Sequence, residues 1–368
     1  MKTRRAFDFG IFITVLILLS LGLIMVLSAS MPTAYNTNHD VYYIFKRQLL
    51  YALVGIVAMF LAANFDYKIL GKLSPYLLIF SIVLLALVIV PGIGFESNNA
   101  RRWFKFGPVQ FQPSEVAKLA VILFFSYSLS KRKDQLSSFF KGMFPYLLLL
   151  GVFAGLLLLE PHLSGTLIII AVASIILFTA GARISHFIIL GLPAVLGLAT
   201  VVAFVPYMRA RVLSFLDPWK DLQGDGWQAV QSLYAIGSGG LFGRGLGRSM
   251  QKFLYIPEPH NDFIFSILAE ELGYIGVLAV LLLFLIFIWR GLKVAMNAPD
   301  VFGSLVATGI TSHIAVQSLL NVAVVTSSVP PTGVSLPFFS YGGSALLLLM
   351  CEVGILLNIS RNANYERI

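Results

Sequence analysis

The chain has 368 residues, of which 58% are hydrophobic and 12% charged, with a formal net charge of +9 and a mean hydropathy of +0.87. That balance excludes an ordinary soluble domain and identifies a polytopic membrane protein. The positive charge is spread through short loops on both sides of the apolar runs, which suits anionic lipid headgroups better than nucleic acid.

Apolar runs long enough to cross a bilayer, roughly 17 to 25 residues each, fall at about 11–29, 48–64, 74–91, 115–130, 142–159, 164–181, 187–206, 263–289, 301–326 and 339–360. They predict an all-α protein of about ten helices forming one transmembrane domain over residues 1–368, because a closed β-barrel needs an alternation that is absent. The first run follows MKTRR and is longer than the apolar stretch of a cleaved signal, so it reads as a retained span with the N-terminus inside. Lys68, Lys72, Lys131, Arg132, Arg290 and Lys293 then fall on the inner side, and both termini are expected in the cytoplasm. Against that bias, Lys46, Arg47, Arg101, Arg102, Lys105, Arg209, Arg211, Lys220, Arg244, Arg248 and Lys252 fall outside, which marks them as candidates for function. The lone Cys351 lies in the last run and rules out an internal disulfide or a thiolate metal site.

After the third run comes ARRWFKFGPVQFQPSEVAKLA, in which Pro113 fits a helix start and Glu115 lies three residues before Lys118 on one helix face. The two read either as a structural ion pair or as the wall of a polar cavity that offers Lys118 to an anion. SEVAK has one residue too many for the S-x-x-K nucleophile pattern. EPHLSGT at 160–166 reads at least as well as a tight turn as it does as broken backbone around a cavity. The longer and more polar VPPTGVSLPFFSYGGS at 329–344 favours the cavity.

The one long connection, 207–262, is expected to be a large extracytoplasmic loop. Its Trp219, Trp227, Tyr234 and Tyr255 argue against disorder and predict a short interfacial helix near 226–236. The glycines between 237 and 247 lack the strand and lysine of a nucleotide-binding loop. They read as a flexible turn or, beside Arg244, Arg248 and Lys252 spaced four apart, as a phosphate-binding concavity. Asp262 stands where this loop meets the eighth span, either as a helix cap or as a group for catalysis or ion handling. Glu270 and Glu271 lie deeper, so at least one must face a polar interior or a cation.

ARRWFKFGPVQFQPSEVAKLA, DPWKDLQGDGWQAVQSLYAIGSGGLFGRGLG, KFLYIPEPHNDFIFSILAEELG and PPTGVSLPFFSYGGS together resemble the SEDS family of shape, elongation, division and sporulation proteins (RodA, FtsW and SpoVE), and the SpoVE and FtsW branch looks nearer than RodA. The resemblance covers essentially the whole chain. It implies a peptidoglycan glycosyltransferase of the bacterial cytoplasmic membrane that polymerises lipid II on the outer face, with a class B penicillin-binding protein as its transpeptidase partner. The family's essential aspartate falls on Asp262, with Glu258 and His260 beside it, and Arg101, Arg102, Glu115 and Lys118 match its polar cavity residues. Inverting transfer from an α-linked pyrophosphate needs one base on the attacking hydroxyl, here Asp262, and cations for the leaving group, sought among Arg101, Arg102, Lys118, Arg244 and Arg248. A divalent cation such as magnesium could assist, with Glu258 holding it or orienting the acceptor. This chain departs from the family pattern at Asn261, commonly Thr, and at His162, where the family has Asp.

Two other classes compete. A transporter would carry lipid II across without chemistry and would place ionisable groups near the midplane, whereas the unusual ones in this sequence cluster on the outer half. A scaffold would only position the partner, which does not require charge in a cavity. For the partner, the apolar 275–289 and 301–320 segments and the long outer loop form the expected docking face.

Overall fold

The computed structural model describes residues 6–364 apart from 98–99, 108, 133–135, 137, 205–208, 210, 211, 214, 221–225 and 254, so the MKTRR stretch and Arg211 lie outside the described residues. In chain order the elements are α1 (Phe9–Asn38), α2 (Tyr43–Asn64), α3 (Tyr67–Ile89), β1 (Phe95–Ser97), β2 (Ala100–Phe106), β3 (Val109–Phe111), α4 (Pro113–Lys131), α5 (Phe144–Leu159), α6 (Leu163–Thr179), α7 (Ile184–Phe204), α8 (Trp227–Gly239), α9 (Ile264–Met296), α10 (Val301–Val325) and α11 (Gly343–Arg361). Each of the ten apolar runs forms a helix, and α8 is the short helix expected in the outer loop. Among the described residues seven segments are long and apolar enough to cross a membrane: α1, α2, α3, α9, α10, α11 and Phe139–Leu159, in which a π-helical turn leads into α5. α6 is a shorter apolar helix. α4 carries Glu115 and Lys118 inside its apolar run, which lowers its hydropathy.

Polar residues start several helices as their sequence suggests. Asp8 accepts from the Ile11 amide at 3.0 Å and Asp300 from the Gly303 amide at 2.7 Å. Pro113 sits in the first turn of α4, where its missing N–H costs nothing. The two ends of the chain lie on one face: the Asp8 amide donates to Ser360 Oγ at 3.0 Å, and Arg290 at the far end of α9 pairs with Asp8 at 2.8 Å. The described parts of the connections between α3 and α4, α5 and α6, α7 and α9, and α10 and α11 therefore gather at the opposite face. α10 is the central helix, packed on α4, α6 and α9, while α11 packs along α2. Large apolar side chains on α2, α3 and α5 point outward, the surface that lipid covers.

The structure departs from an all-helical reading in the α3–α4 connection, which folds into a three-stranded antiparallel sheet of order β1-β2-β3. Trp103 pairs with Phe95, and Phe104 with Phe111. Strand periodicity turns Ala100 and Phe104 inward, and Arg102, between them on the same face, follows. α9 is also broken where the sequence reads as one apolar run. Gly273 has φ 67° and ψ −170°, and residues 241–243 pass so close that a Cβ on Gly273 would collide with the Gly243 nitrogen.

Candidate active site

A cavity of about 740 Å³ opens on the face away from the chain ends, between β2, the start of α4, the α5–α6 turn, residues 257–263, α10 and the 329–344 loop. Of the residues that the sequence singles out, Arg47, Arg102, Glu115, Lys118, His162, Glu258, His260, Asn261 and Asp262 line it. Arg101 does not. The period of two in β2 sends Arg101 and Arg102 to opposite faces. Arg101 pairs with Glu96 on the neighbouring strand at 2.8 Å, while Arg102 donates to the Glu160 carbonyl at 3.1 Å and to the Pro161 carbonyl. EPHLSGT is thus cavity wall as well as turn, since His162, Ser164 and Gly165 line the space.

Lys118 is 5% exposed, with Nζ 2.9 Å from Glu115 Oε1 and 3.1 Å from Gln317 Oε1. The ion-pair reading and the cavity-wall reading of this pair hold together. An ammonium has three N–H groups, so one remains for whatever enters the cavity.

Asp262 is not the cap of α9. Phe263 holds the capping position and offers no side-chain acceptor, which leaves the Asp262 side chain one residue earlier, at the cavity. Its backbone is stapled to the 329–344 loop. Asn321 Nδ2 donates to the Asp262 carbonyl at 2.8 Å and to the Val334 carbonyl at 2.6 Å, Ser340 Oγ donates to the Asn261 carbonyl at 2.7 Å, and the Tyr341 amide donates to the His260 carbonyl at 2.9 Å. Gly333, at φ 69°, faces the carboxylate, and a Cβ there would sit 3.1 Å from Asp262 Oδ2. Gln317, Asn321 and Gly333 were missed in the sequence. The available signal for Gln317 and Asn321 was two amide side chains four residues apart on one face of a membrane helix.

Glu258 is exposed, sits at φ 45° and accepts from Asn261 Nδ2 at 2.7 Å, so the Asn261 departure has a local use. Among the described residues no three His, Cys, Asp or Glu side chains converge as a metal site. An ion that arrives on substrate phosphates needs only one or two carboxylates from the protein, and Glu258 and Asp262 are on the cavity lining to hold it. The two imidazoles at the cavity are neutral. Burial, with the charges of Arg102 and Lys118 added, lowers His162 to about 3, and burial lowers His260 to about 4.

Arg244, Arg248 and Lys252 form no concavity at this site. Lys252 is buried 2.9 Å from Glu271 and 3.0 Å from Ser28 Oγ, and Arg244 lies 3.4 Å from Glu270. Glu270 also accepts from Ser249 Oγ at 2.6 Å and from the Met250 amide at 2.9 Å. The cations thus hold the glycine-rich loop against the broken start of α9. Arg248 is exposed and does not line the cavity.

Glu160 is buried beside Arg102, and neither carboxyl oxygen accepts a hydrogen bond. Burial raises it to about 8, against the pull of the Arg102 charge. The folded state therefore keeps a proton that the unfolded chain releases, and stability falls as pH rises from about 4.5 to about 8. Glu160→Gln, which cannot ionise, is expected to gain in melting temperature over the native protein progressively across that interval and to level off above it. Thermal unfolding in detergent at a series of pH values checks this, and a gap that does not vary with pH would contradict it.

The chain matches the profile of the FtsW, RodA and SpoVE cell cycle protein family over residues 9–365. It is 46% identical over 360 residues to stage V sporulation protein E of Bacillus subtilis (strain 168), covering 97% of this chain and 98% of that one. It is 42% identical over 360 residues to a probable peptidoglycan glycosyltransferase FtsW of Geobacter sp. (strain M18), covering 98% of each. Among solved structures, a chain from a peptidoglycan synthase complex that coordinates polymerisation and crosslinking superposes with a TM-score of 0.81 at 32% identity, over 97% of this chain and 98% of that one. The rod shape determining protein RodA of Thermus thermophilus superposes with a TM-score of 0.71 at 29% identity, with the same coverage.

Proposed function

The chain belongs to the FtsW, RodA and SpoVE family of cell cycle proteins, and on that premise we propose that it is a peptidoglycan glycosyltransferase whose outer cavity polymerises lipid II at the extracytoplasmic face of the bacterial cytoplasmic membrane. The observation that carries the reading is that one cavity holds the Asp262 carboxylate together with the Arg102 and Lys118 cations. Asp262 takes the proton from the attacking sugar hydroxyl. The bond from the anomeric carbon to the lipid pyrophosphate breaks as the new glycosidic bond forms from the opposite face, which inverts the centre without a covalent intermediate. Negative charge grows on the departing pyrophosphate, and Arg102 and Lys118 are already in place to meet it. His260 and His162, both neutral, line the wall and add no charge. Purified protein and purified lipid II, with and without the partner, test the reading: glycan chains support it, and intact lipid II under every condition refutes it.

Transport of lipid II without chemistry gains one observation from the structure. The outer half does not hold all the unusual charge, because His313 and Glu352 form a buried pair within α10 and α11. The same assay separates the two readings, since a carrier releases lipid II unpolymerised.

The partner is a class B penicillin-binding protein, a reading supported by the likeness to a synthase complex. The docking face is narrower than the sequence suggests. Residues 301–320 are buried along most of their length, whereas Ile275, Leu278, Leu282, Leu285 and Trp289 form an exposed stripe on α9. Photocrosslinkers placed at those five positions are expected to capture the partner's membrane span. Adducts confined to α1–α3 would rule this face out.

A further inference from the structure

Below the cavity floor a small chamber, with room for about one water, reaches inward between α4, α10 and α11 as far as His313. His313 and Glu352 are 2% and 1% exposed, and His313 Nδ1 lies 2.7 Å from Glu352 Oε2. Two ionisable groups buried inside a membrane bundle are costly even when paired, and apolar residues of similar size would pack there as well or better. The pair is connected to the cavity. His313 Nε2 lies 2.9 Å from Gln317 Oε1, the same oxygen that accepts from Lys118.

The protons on this chain can be counted. Gln317 Nε2 donates to the Ser335 carbonyl at 3.0 Å and to Ser335 Oγ at 3.2 Å, which fixes the sense of the amide and turns its oxygen toward His313 and Lys118. An amide oxygen only accepts, so His313 Nε2 carries a hydrogen. One proton is then left between Nδ1 and the carboxylate. Whether the pair is imidazolium with carboxylate or imidazole with carboxylic acid, Gln317 meets the same donor. Gln317 Oε1 is held by the histidine and gives Lys118 a second anchor beside Glu115.

We propose that His313 and Glu352 are positioning residues for glycosyl transfer, holding the Lys118 ammonium at the cavity floor through Gln317. The inference rests on the polymerase reading above. Its demand is geometric: a cation that meets charge developing on a leaving group acts through being fixed in advance, and Gln317 with its histidine supplies the fixing from a distance.

The test compares full-length variants for lipid II turnover. Glu352→Gln keeps a partner for Nδ1, hence the Nε2–H tautomer, and is expected within about twofold of the native rate. Glu352→Leu and His313→Phe are expected to lower kcat by about tenfold with KM little changed, as for a misplaced catalytic group. The double variant His313→Phe/Glu352→Leu replaces the pair with apolar side chains and should keep the native melting temperature. Its kcat should match that of the worse single variant, because both changes remove one hydrogen bond. Native kcat in the double variant, or losses that multiply or follow the melting temperature, would overturn the proposal. A readout independent of turnover is the ¹⁵N spectrum of labelled histidine, with His313 assigned by its loss in His313→Phe. Nε2 should be protonated in the native protein and in Glu352→Gln, and the tautomers mixed in Glu352→Leu. An unprotonated Nε2 in the native protein refutes the relay, whereas absence of polymer from the native protein refutes the polymerase reading and leaves the spectrum to judge the relay.

Discussion

Asp262→Asn is expected to lower lipid II polymerisation by at least about 100-fold, the usual cost of losing a general base, while the protein folds and binds its partner as before. Folding should survive because Phe263, and not Asp262, holds the capping position of α9. The backbone at this position is held by Asn321, Ser340 and Tyr341, through contacts that do not involve the side chain of residue 262. Asparagine matches the shape of aspartate and meets the same space beside Gly333, so the change removes the charge and its proton affinity while keeping the volume. Glu258→Gln serves as the comparison. Glu258 is exposed and engaged by Asn261, and its loss should act on acceptor placement far more mildly. Native-like glycan from the Asp262→Asn protein, at unchanged melting temperature, would remove the base assignment.

The helices were legible in the sequence because lipid imposes a simple rule, that backbone crossing hydrocarbon satisfies itself, so each uninterrupted apolar run had one solution. The departures all lie where that rule stops applying. The β1-β2-β3 sheet stands outside the apolar runs, and ARRWFKF, with two adjacent cations and two adjacent aromatics, lacks the strict alternation that marks a strand. The break at Gly273 was hidden because glycine is tolerated within membrane helices and only the crossing of residues 241–243 makes it necessary. The tight staple that Asn321 makes between residues 262 and 334 joins segments far apart in the chain, and no local pattern announces it.

For the site, residue type and position in the chain pointed to the segments that line the cavity but could not choose among equal-looking cations. Arg244, Arg248 and Lys252 carried a helix-like spacing and glycines, which is also what a packed loop anchored on buried acids looks like. Glu270 and Glu271 supply those acids about two turns into α9, and the expectation that at least one of them faces a polar interior or a cation is met by both, through Arg244 and Lys252. Arg101 and Arg102 are adjacent in sequence and opposite in space, a distinction that follows at once from strand periodicity and could not be drawn before the strand was known. Lys118 was recognisable because a lysine within an apolar run has to be satisfied, and Glu115 one turn before it was the evident partner. Its second partner, Gln317, comes from α10 and is a property of packing.

Removing the cations at the cavity should therefore separate residues that the sequence ranks together. Arg102→Met is expected to reduce turnover by roughly 100-fold, the scale of losing one donor to a developing negative charge. Arg101→Met and Lys131→Met should stay near the native rate, since Arg101 is taken up by Glu96 outside the cavity and Lys131 lies at the far end of α4 against Tyr127. Lys118→Met needs more care, because it strands the Glu115 carboxylate in a buried site, and breaking a buried pair costs on the order of 3 to 5 kcal/mol of stability. A loss of activity in that variant alone would not distinguish chemistry from misfolding. The double change Glu115→Gln/Lys118→Met removes both charges, keeps an amide to fill the site, and should recover most of the melting temperature. Its turnover should nevertheless remain roughly 100-fold down, because the cation that meets the pyrophosphate is still missing. Recovery of activity along with stability in the double variant would mean that the pair is only a structural bridge between the first turns of α4, and the leaving-group role would pass to Arg102 alone.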